Sequence, residues 1–353
     1  MKIAILGAGN GGQAMAGHFS LLGHQVSLYN RNLDKLKVLV AKKSITIEDA
    51  IVGESKINLI TENIAAAIAD AELIMVTTTA NAHREIAKMI SPFIENGQTI
   101  VLNPGRTLGA LEFSHELKKH TSKKIYIAEA QSLIYACRTI TPGVVKIFGV
   151  KDKVLLSAYP AIYTDFVLKK LNSVYNCFLS AENILSTGLE NIGAIFHPTV
   201  VLFNAAAIER GSMFYFYNDM TPSVANFIEE IDKERIAIGN AFGIKLRTVS
   251  EWISFAYKGI EGNSLCDKMR NNPAYYKILA PNTLHSRLLS EDIPTGVLPF
   301  IELAMMAKLE VPLLRSIMFI SEKLLNQDFR ITGRTLCNLD IAHLTLPEFI
   351  KAL

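Results

Sequence analysis

Cysteine, tryptophan and net charge are all scarce in this chain of 353 residues, which holds 4 cysteines, 1 tryptophan and a formal charge of +3. Cys137, Cys177, Cys266 and Cys337 lie far apart and form neither a C-x-x-C pair nor a Cys/His cluster, which argues against structural zinc or a redox pair. Reduced thiols in a cytoplasmic setting are expected, with no metal. The basic residues are dispersed, so no electrostatic footprint for nucleic acid or an anionic membrane stands out. No uncharged apolar run reaches the roughly 20 residues that a membrane-crossing helix needs. The opening Met1-Lys2-Ile3-Ala4-Ile5-Leu6 runs into a glycine loop instead of a cleavage site, so no signal peptide is expected either. Internal repeats, low-complexity tracts and Gly/Ser linkers are missing too.

What the chain does have is material for burial. Half of it (50%) is hydrophobic and 20% charged, a balance that folds throughout. Single cores stop growing at about 250 to 300 residues, so two domains are expected. In the first half, β-rich runs at 2–6, 25–29, 73–77, 99–102 and 125–128 alternate with helical patterns at 11–22, 80–94 and 108–119. That alternation predicts βαβ units and a mostly parallel sheet. The stretch 44–60 reads as two short strands and 142–160 as further sheet, all within one α/β doubly wound domain ending near residue 180. Beyond it, 194–208, 223–242, 249–257, 298–307 and 311–325 read as helices without intervening strands. A mainly α-helical C-terminal domain (181–353) should therefore follow, with the active site in a cleft between the two.

Gly7, Gly9 and Gly12 satisfy G-x-G-x-x-G, with Asn10 and Gly11 between them, directly after a strand and at the start of a helix. That context is specific for dinucleotide binding and predicts a Rossmann domain: Gly7 permits the turn, Gly9 admits a pyrophosphate, and Gly12 lets helix and strand pack closely. The second strand ends at Asn30 and Arg31, where an NAD-specific protein would carry Asp or Glu on the ribose 2′-OH. An arginine there can pair with a 2′-phosphate, so NADP is favoured, with NAD still accommodated. Later strand ends, Thr77-Thr78-Thr79, Asn103-Pro104-Gly105-Arg106-Thr107 and Glu129-Ala130-Gln131, should aim at the same crevice. Among them Thr78, Pro104, Gly105 and Glu129 are the cofactor candidates. His83, early in a helix, is assigned a surface or supporting place outside the chemistry.

In the second half, His197 precedes Pro198 at what reads as a helix start, where the positive end of the helix favours a neutral ring suited to proton transfer. Arg287 and Asp292 are spaced too far apart for one helix face. Pro294 should force Ile293 into an extended state and break the chain there. From the residues alone, a packed core histidine and an exposed ion pair remain open alternatives.

The sequence resembles the octopine/nopaline (opine) dehydrogenases, particularly the bacterial N-(1-carboxyethyl)-amino acid dehydrogenases. The resemblance runs through the glycine loop, Leu102-Asn103-Pro104-Gly105, Ala136-Cys137-Arg138, His197-Pro198, Asn204-Ala205-Ala206, Thr221-Pro222-Ser223-Val224, Asn272-Pro273-Ala274-Tyr275 and Glu291-Asp292. It implies that His197 is the catalytic histidine, Arg287 the substrate-binding arginine and Asp292 the aspartate that orients the histidine. It also implies an α-keto acid, usually pyruvate, and an amino acid as small-molecule substrates, and a homodimer. Two departures stand out: Asn30 replaces the aspartate of NAD-using members, and Ala130-Gln131-Ser132 replaces a Thr/Ser-rich stretch. Reductases of the ketopantoate or glycerol-3-phosphate type share this architecture but rely on a catalytic lysine. A non-catalytic NADP(H) sensor is the remaining alternative.

Overall fold

Short aliphatic and β-branched runs build the N-terminal half as strands. The computed structural model describes residues 1–257 and 259–353. In chain order the strands are β1 (Lys2–Leu6), β2 (Gln25–Tyr29), β3 (Ser44–Asp49), β4 (Gly53–Lys56), β5 (Leu59–Thr61), β6 (Leu73–Val76), β7 (Thr99–Leu102), β8 (Tyr126–Ala130), β9 (Tyr135–Thr141), β10 (Val144–Val150), β11 (Val154–Tyr159) and β12 (Phe178–Ser180). Eight of them form one sheet in the order β12-β11-β8-β7-β6-β1-β2-β5, parallel except where β11 meets β8. Chain order reverses between β1 and β6, and such switch points are where α/β sheets bind ligands, beyond the carboxyl ends of the strands.

The remaining four strands form a second sheet, β4-β3-β10-β9. The doubly wound reading therefore needs an addition. Only β3 and β4 of the 44–60 stretch pair here, while β5 joins the large sheet beside β2. The helix Asn10–Leu21 is buried along most of its length and shares one apolar cluster with both sheets, including Ile3, Ile5, Met15, Phe19, Ile45, Ile47, Val145 and Ile147. Gly17 is required by this closeness, since a Cβ there would stand 2.9 Å from Ile45 and Ile47 side chains. Two of the helix's buried polar side chains, Gln13 and His18, find partners outside it. The Gln13 amide donates to the Ala8 carbonyl (2.8 Å) and accepts from the Gly143 N–H (2.9 Å), and His18 Nδ1 is 2.8 Å from the Tyr135 hydroxyl.

The chain divides into two compact units, one of Met1–Gly105 with Gly109–Ile184, the other of Arg106–Leu108 with Leu185–Leu353. The second is helical, and an isolated bridge between Tyr215 and Leu279 is the β pairing among its described residues. Its longest helix, Pro222–Ala241, starts at Thr221, whose hydroxyl caps the Val224 N–H. That helix carries Arg235, fully buried against Asp232 at 2.7 Å. The Arg235 guanidinium also donates to the carbonyls of Leu189 (2.9 Å) and Arg247, and Asp232 accepts the Val249 N–H at 2.7 Å. One buried ion pair thus ties three segments together.

Burial holds the His18 imidazole neutral, its pKa lowered from 6.5 to about 4. An unfolded chain takes up that proton first, so the contribution of His18 is intact above 6.5 and is lost as pH falls toward 4. Thermal unfolding followed from pH 7 to pH 4 should therefore show a shallower acid decline in His18→Gln than in the wild type; parallel declines would mean that the ring does not carry this linkage.

Candidate active site

The glycine loop is shaped by what a side chain would strike. Gly7 has φ +113°, its N–H donates to the Tyr29 carbonyl (2.9 Å), and its own carbonyl accepts from the Thr77 hydroxyl (2.9 Å). A Cβ on Gly12 would overlap the Gly7 carbonyl, whereas a Cβ on Gly9 would have nothing within 4 Å. Close packing and an open backbone thus fall at the two positions where a bound pyrophosphate needs them. Gly11 faces the Leu133 side chain, and Asn10 opens the helix and accepts the Thr139 N–H at 3.0 Å.

Asn30 is occupied locally: its Oδ1 accepts the Ala8 N–H (3.2 Å) and its amide donates to the Asn32 carbonyl (2.6 Å), bracing the loop. Arg31 instead lines a groove of about 530 Å³ together with Asn32, Asp34, Lys37 and Glu62. Gly105 is buried, its N–H donates to the Ala130 carbonyl (3.0 Å), and a Cβ on it would overlap Glu129. The Pro104-Gly105 turn is thus close-packed at its glycine. The Glu129 carboxylate is fully buried and accepts the Ala110 N–H at 2.7 Å, at the start of the helix Gly109–Lys118. His83 is also buried, edge-on to Phe113, and a surface position is ruled out. The Thr78 hydroxyl oxygen and both polar atoms of the Asn103 side chain are buried without a hydrogen-bond partner among the described residues. Buried groups left in that condition suit a polar ligand. In the sequence Asn103 stands at a strand end and in a stretch that carries the resemblance, without a role of its own.

His197 lies in the second turn of the helix Gly193–Phe203, with Pro198 inside the helix. The helix starts at Gly193, five residues before Pro198, so the ring is outside the first turn, to which terminal partial charges are confined. Nδ1 is 2.7 Å from Asp292 Oδ2 and Nε2 is 3.2 Å from the Tyr217 hydroxyl. An ionised carboxylate only accepts, so Nδ1 carries the proton and Nε2 is left for proton exchange. Phe196 and Phe216 stand around the ring at centroid distances of 6.4 and 5.9 Å.

The expected break before Pro294 does not occur. After the short helix Arg287–Ser290, Glu291 and Asp292 remain helical, and Ile293–Val297 forms a π-helix continuing into the helix Leu298–Met306. A wider turn accommodates a proline whose ring would crowd the preceding α-turn. Just before it, Asp292 contacts His197 while Glu291 reaches Arg106 and Arg287.

Arg106 is the residue whose role the sequence did not disclose. Its guanidinium lies 3.4 Å from Asp292 Oδ1, 3.3 Å from Glu291 Oε1 and 3.1 Å from Asn191 Oδ1. Burial alone would raise the Asp292 pKa, but Arg106, then His197 and Arg287, bring it below the ordinary value. Arg106 and Leu108 both have φ +60°, a left-handed conformation that costs on the order of 1 kcal/mol each. Thr107 between them offsets the cost: its N–H donates to the Thr295 carbonyl (3.1 Å), its hydroxyl to the Gly188 carbonyl (2.9 Å), and its carbonyl accepts from Arg334 (2.6 Å). Arg287, by contrast, is 60% exposed and 3.5 Å from Glu291. The structure therefore brings His197 and Asp292 into direct contact and places Arg287 one carboxylate away.

Arg106→Met should destabilise the protein by about 3–5 kcal/mol, the cost of a buried ion pair broken on one side. Urea unfolding followed by far-UV circular dichroism measures it, and a loss below about 1 kcal/mol, the range of surface pairs, would show that Asp292 and Glu291 do not depend on this guanidinium.

A family model described as NAD/NADP octopine/nopaline dehydrogenase, alpha-helical domain, matches residues 180–325. Another, NAD-dependent glycerol-3-phosphate dehydrogenase N-terminus, matches residues 2–124. The opine dehydrogenase of Arthrobacter sp. (strain 1C) is 35% identical over 344 residues, which cover 97% of this chain and 96% of that protein. An octopine dehydrogenase solved with NADH and agmatine superposes at a TM-score of 0.80 with 19% identity, covering 100% of this chain and 98% of its own. A yersinopine dehydrogenase with NADP+ bound superposes at 0.76 with 14% identity, covering 100% and 99%. These two structures bear on the fold alone, a nucleotide-binding Rossmann half followed by a helical half. Taken with the 35% identity over nearly the full length, they lead to one conclusion: the chain belongs to the octopine/nopaline (opine) dehydrogenase family of NAD(P)-dependent oxidoreductases.

Proposed function

We propose that this protein is an opine dehydrogenase that joins pyruvate to the amino group of an amino acid and reduces the resulting imine, reversibly, with NADPH as the preferred donor and NADH as a second one. The contact that carries the proposal is the His197–Asp292 pair at 2.7 Å with the exposed Arg287 nearby. When bound, the reduced nicotinamide supplies the hydride. The glycine loop around Gly7, Gly9 and Gly12, with Thr78 and Asn103, would hold it, and the open backbone at Gly9 and the unpartnered polar atoms fit that task. Arg31 and Lys37 in the groove beyond β2 favour a 2′-phosphate, while Asp34 and Glu62 beside them leave NADH usable.

Asp292 fixes the tautomer and orientation of His197. Nε2 then gives a proton to the hydroxyl leaving the carbinolamine, and takes one back in the reverse direction. Arg287 holds a substrate carboxylate through a planar pair of N–H donors, which places the imine carbon for attack. The paired structures of octopine dehydrogenase with NADH and L-arginine, and with NADH and pyruvate, lend support to this substrate pair.

The decisive assay follows NADPH and NADH oxidation by absorbance with pyruvate, with and without a panel of amino acids. Oxidation should require keto acid and amine together; oxidation with the keto acid alone would make the protein a hydroxy-acid reductase. In the same assay, His197→Ala should lower kcat by about 10²–10⁴-fold at unchanged cofactor affinity. Arg287→Lys should raise the substrate KM by roughly tenfold, since Lys offers no planar fork.

A cytoplasmic homodimer completes the proposal. The four cysteines, Cys137, Cys177, Cys266 and Cys337, are few and far apart along the chain, in line with a reducing compartment. Phe319, Ile320 and Leu324 are exposed on the helix Pro312–Leu325 and offer an apolar face for a two-fold contact. Light scattering on the eluted protein should give twice the 39.0 kDa chain mass; a monomer would remove the dimer from the reading.

A further inference from the structure

The nitrogen of His197 that is left for proton exchange already has a neighbour. With Nδ1–H committed to Asp292, Nε2 faces the hydroxyl of Tyr217 at 3.2 Å. Tyr217 belongs to the irregular segment between the helices Ala205–Glu209 and Pro222–Ala241, where nothing in the regular structure requires a tyrosine. Its ring is nevertheless held firmly. It stacks on Tyr275 at 4.1 Å between centroids and 15° between planes, and packs against Phe196 at 5.5 Å and Phe216 at 4.9 Å. Tyr275 in turn sits on the turn Pro273–Tyr275, which Asn272 caps by accepting the Ala274 N–H at 3.0 Å. The clamp leaves the phenol little freedom beyond rotation of its O–H bond.

A hydroxyl donates and accepts at once. Toward the neutral ring, Tyr217 donates to Nε2; toward the imidazolium, it accepts the Nε2–H. The two states interchange without moving a heavy atom. Tyr217 is only half-buried, so part of it remains reachable. Resting on the opine dehydrogenase reading of this site, we propose that Tyr217 is a second catalytic residue, a proton bridge between His197 Nε2 and the oxygen that leaves the carbinolamine.

The step balances. The imidazolium Nε2–H bond breaks as its proton passes to the phenol oxygen, and the phenol O–H proton passes to the carbinolamine hydroxyl. The C–O bond then breaks, water departs, and the nitrogen lone pair closes the C=N bond. Tyr217 ends neutral, the imidazole ends neutral with Nδ1–H still on Asp292, and the positive charge has moved to the iminium. Burial first, and Tyr257 next, push the phenol's pKa up, so it stays protonated between turnovers and passes a proton on without releasing one to solvent. The titratable and charged groups around it are His197, Tyr257, Tyr275, Arg106, Arg287 and Asp292.

Tyr217→Phe keeps the ring and its stacking and removes only the bridge. With pyruvate and the most active amino acid, kcat should fall by about 100-fold while NADPH affinity and the melting temperature stay at wild-type values. The wild-type solvent isotope effect should report two protons in flight and the variant at most one. In ¹⁵N NMR of histidine-labelled protein, the His197 Nε2 resonance should move while Nδ1, held by Asp292, stays. Wild-type kcat with an unchanged isotope effect and an unmoved Nε2 resonance would overturn the bridge. If the wild type itself oxidises NADPH without any amine, the opine reading falls and the bridge with it, which separates the two failures. Should the phenylalanine variant not fold, fluorotyrosine at position 217, a stronger acid of similar size, carries the test: a shifted pH profile and altered isotope effect support the bridge, and wild-type values for both refute it.

Discussion

A carboxylate with no exposed surface must be compensated by its neighbours or it cannot stay ionised, and Asp292 is such a carboxylate. Arg106 on one oxygen and His197 on the other supply the compensation at 3.4 and 2.7 Å. Much of the second unit's local geometry follows from that requirement. The guanidinium needs Asn191 for a further hydrogen bond, and it needs Gly193 to lack a side chain, since a Cβ there would stand 2.9 Å from Nη1 and 3.1 Å from the His197 ring. The helix that presents His197 therefore begins at the one kind of residue that admits both groups.

Two arginines near one pair of carboxylates do opposite work because of exposure. Arg106 is 11% exposed and shares itself between Asp292 and Glu291, so its charge is spent inside the protein. Arg287, exposed and facing the other oxygen of Glu291, keeps donors available to a ligand. A single buried arginine serving both carboxylates would leave no donor exposed.

Local patterns in the sequence disclosed the glycine loop, the two strands around it and the long helices, because each rests on spacing over a dozen residues or fewer. The partners that matter most in the second unit are far apart along the chain. The contact between His197 and Asp292 was implied by resemblance and not by any spacing, and Arg106 and Tyr217 were not assigned roles at all. Pro198 misled only as to its own place: proline favours first turns, yet the run that reads as helical from residue 194 begins at Gly193 and holds Pro198 inside it. Pro294 misled in the opposite direction, since the extended preference of the preceding residue is a statistical one and a π-turn evades the clash behind it. Glu129 stands at a strand end as the sequence places it, and its carboxylate accepts the Ala110 N–H, a local contact that no pattern of residue types reveals.

The helical unit is not a continuous stretch of chain. Arg106–Leu108 belongs to it, although the residues on either side of that tripeptide belong to the nucleotide-binding unit. A gene cut between residues 184 and 185 would give a C-terminal product holding His197, Arg287 and Asp292 but not the guanidinium that balances Asp292 and Glu291. Such a product would be left with two buried negative groups short of a counter-charge. Exchange of the helical half between relatives by simple fusion at that boundary is thereby penalised, because the three residues that complete it travel with the other half.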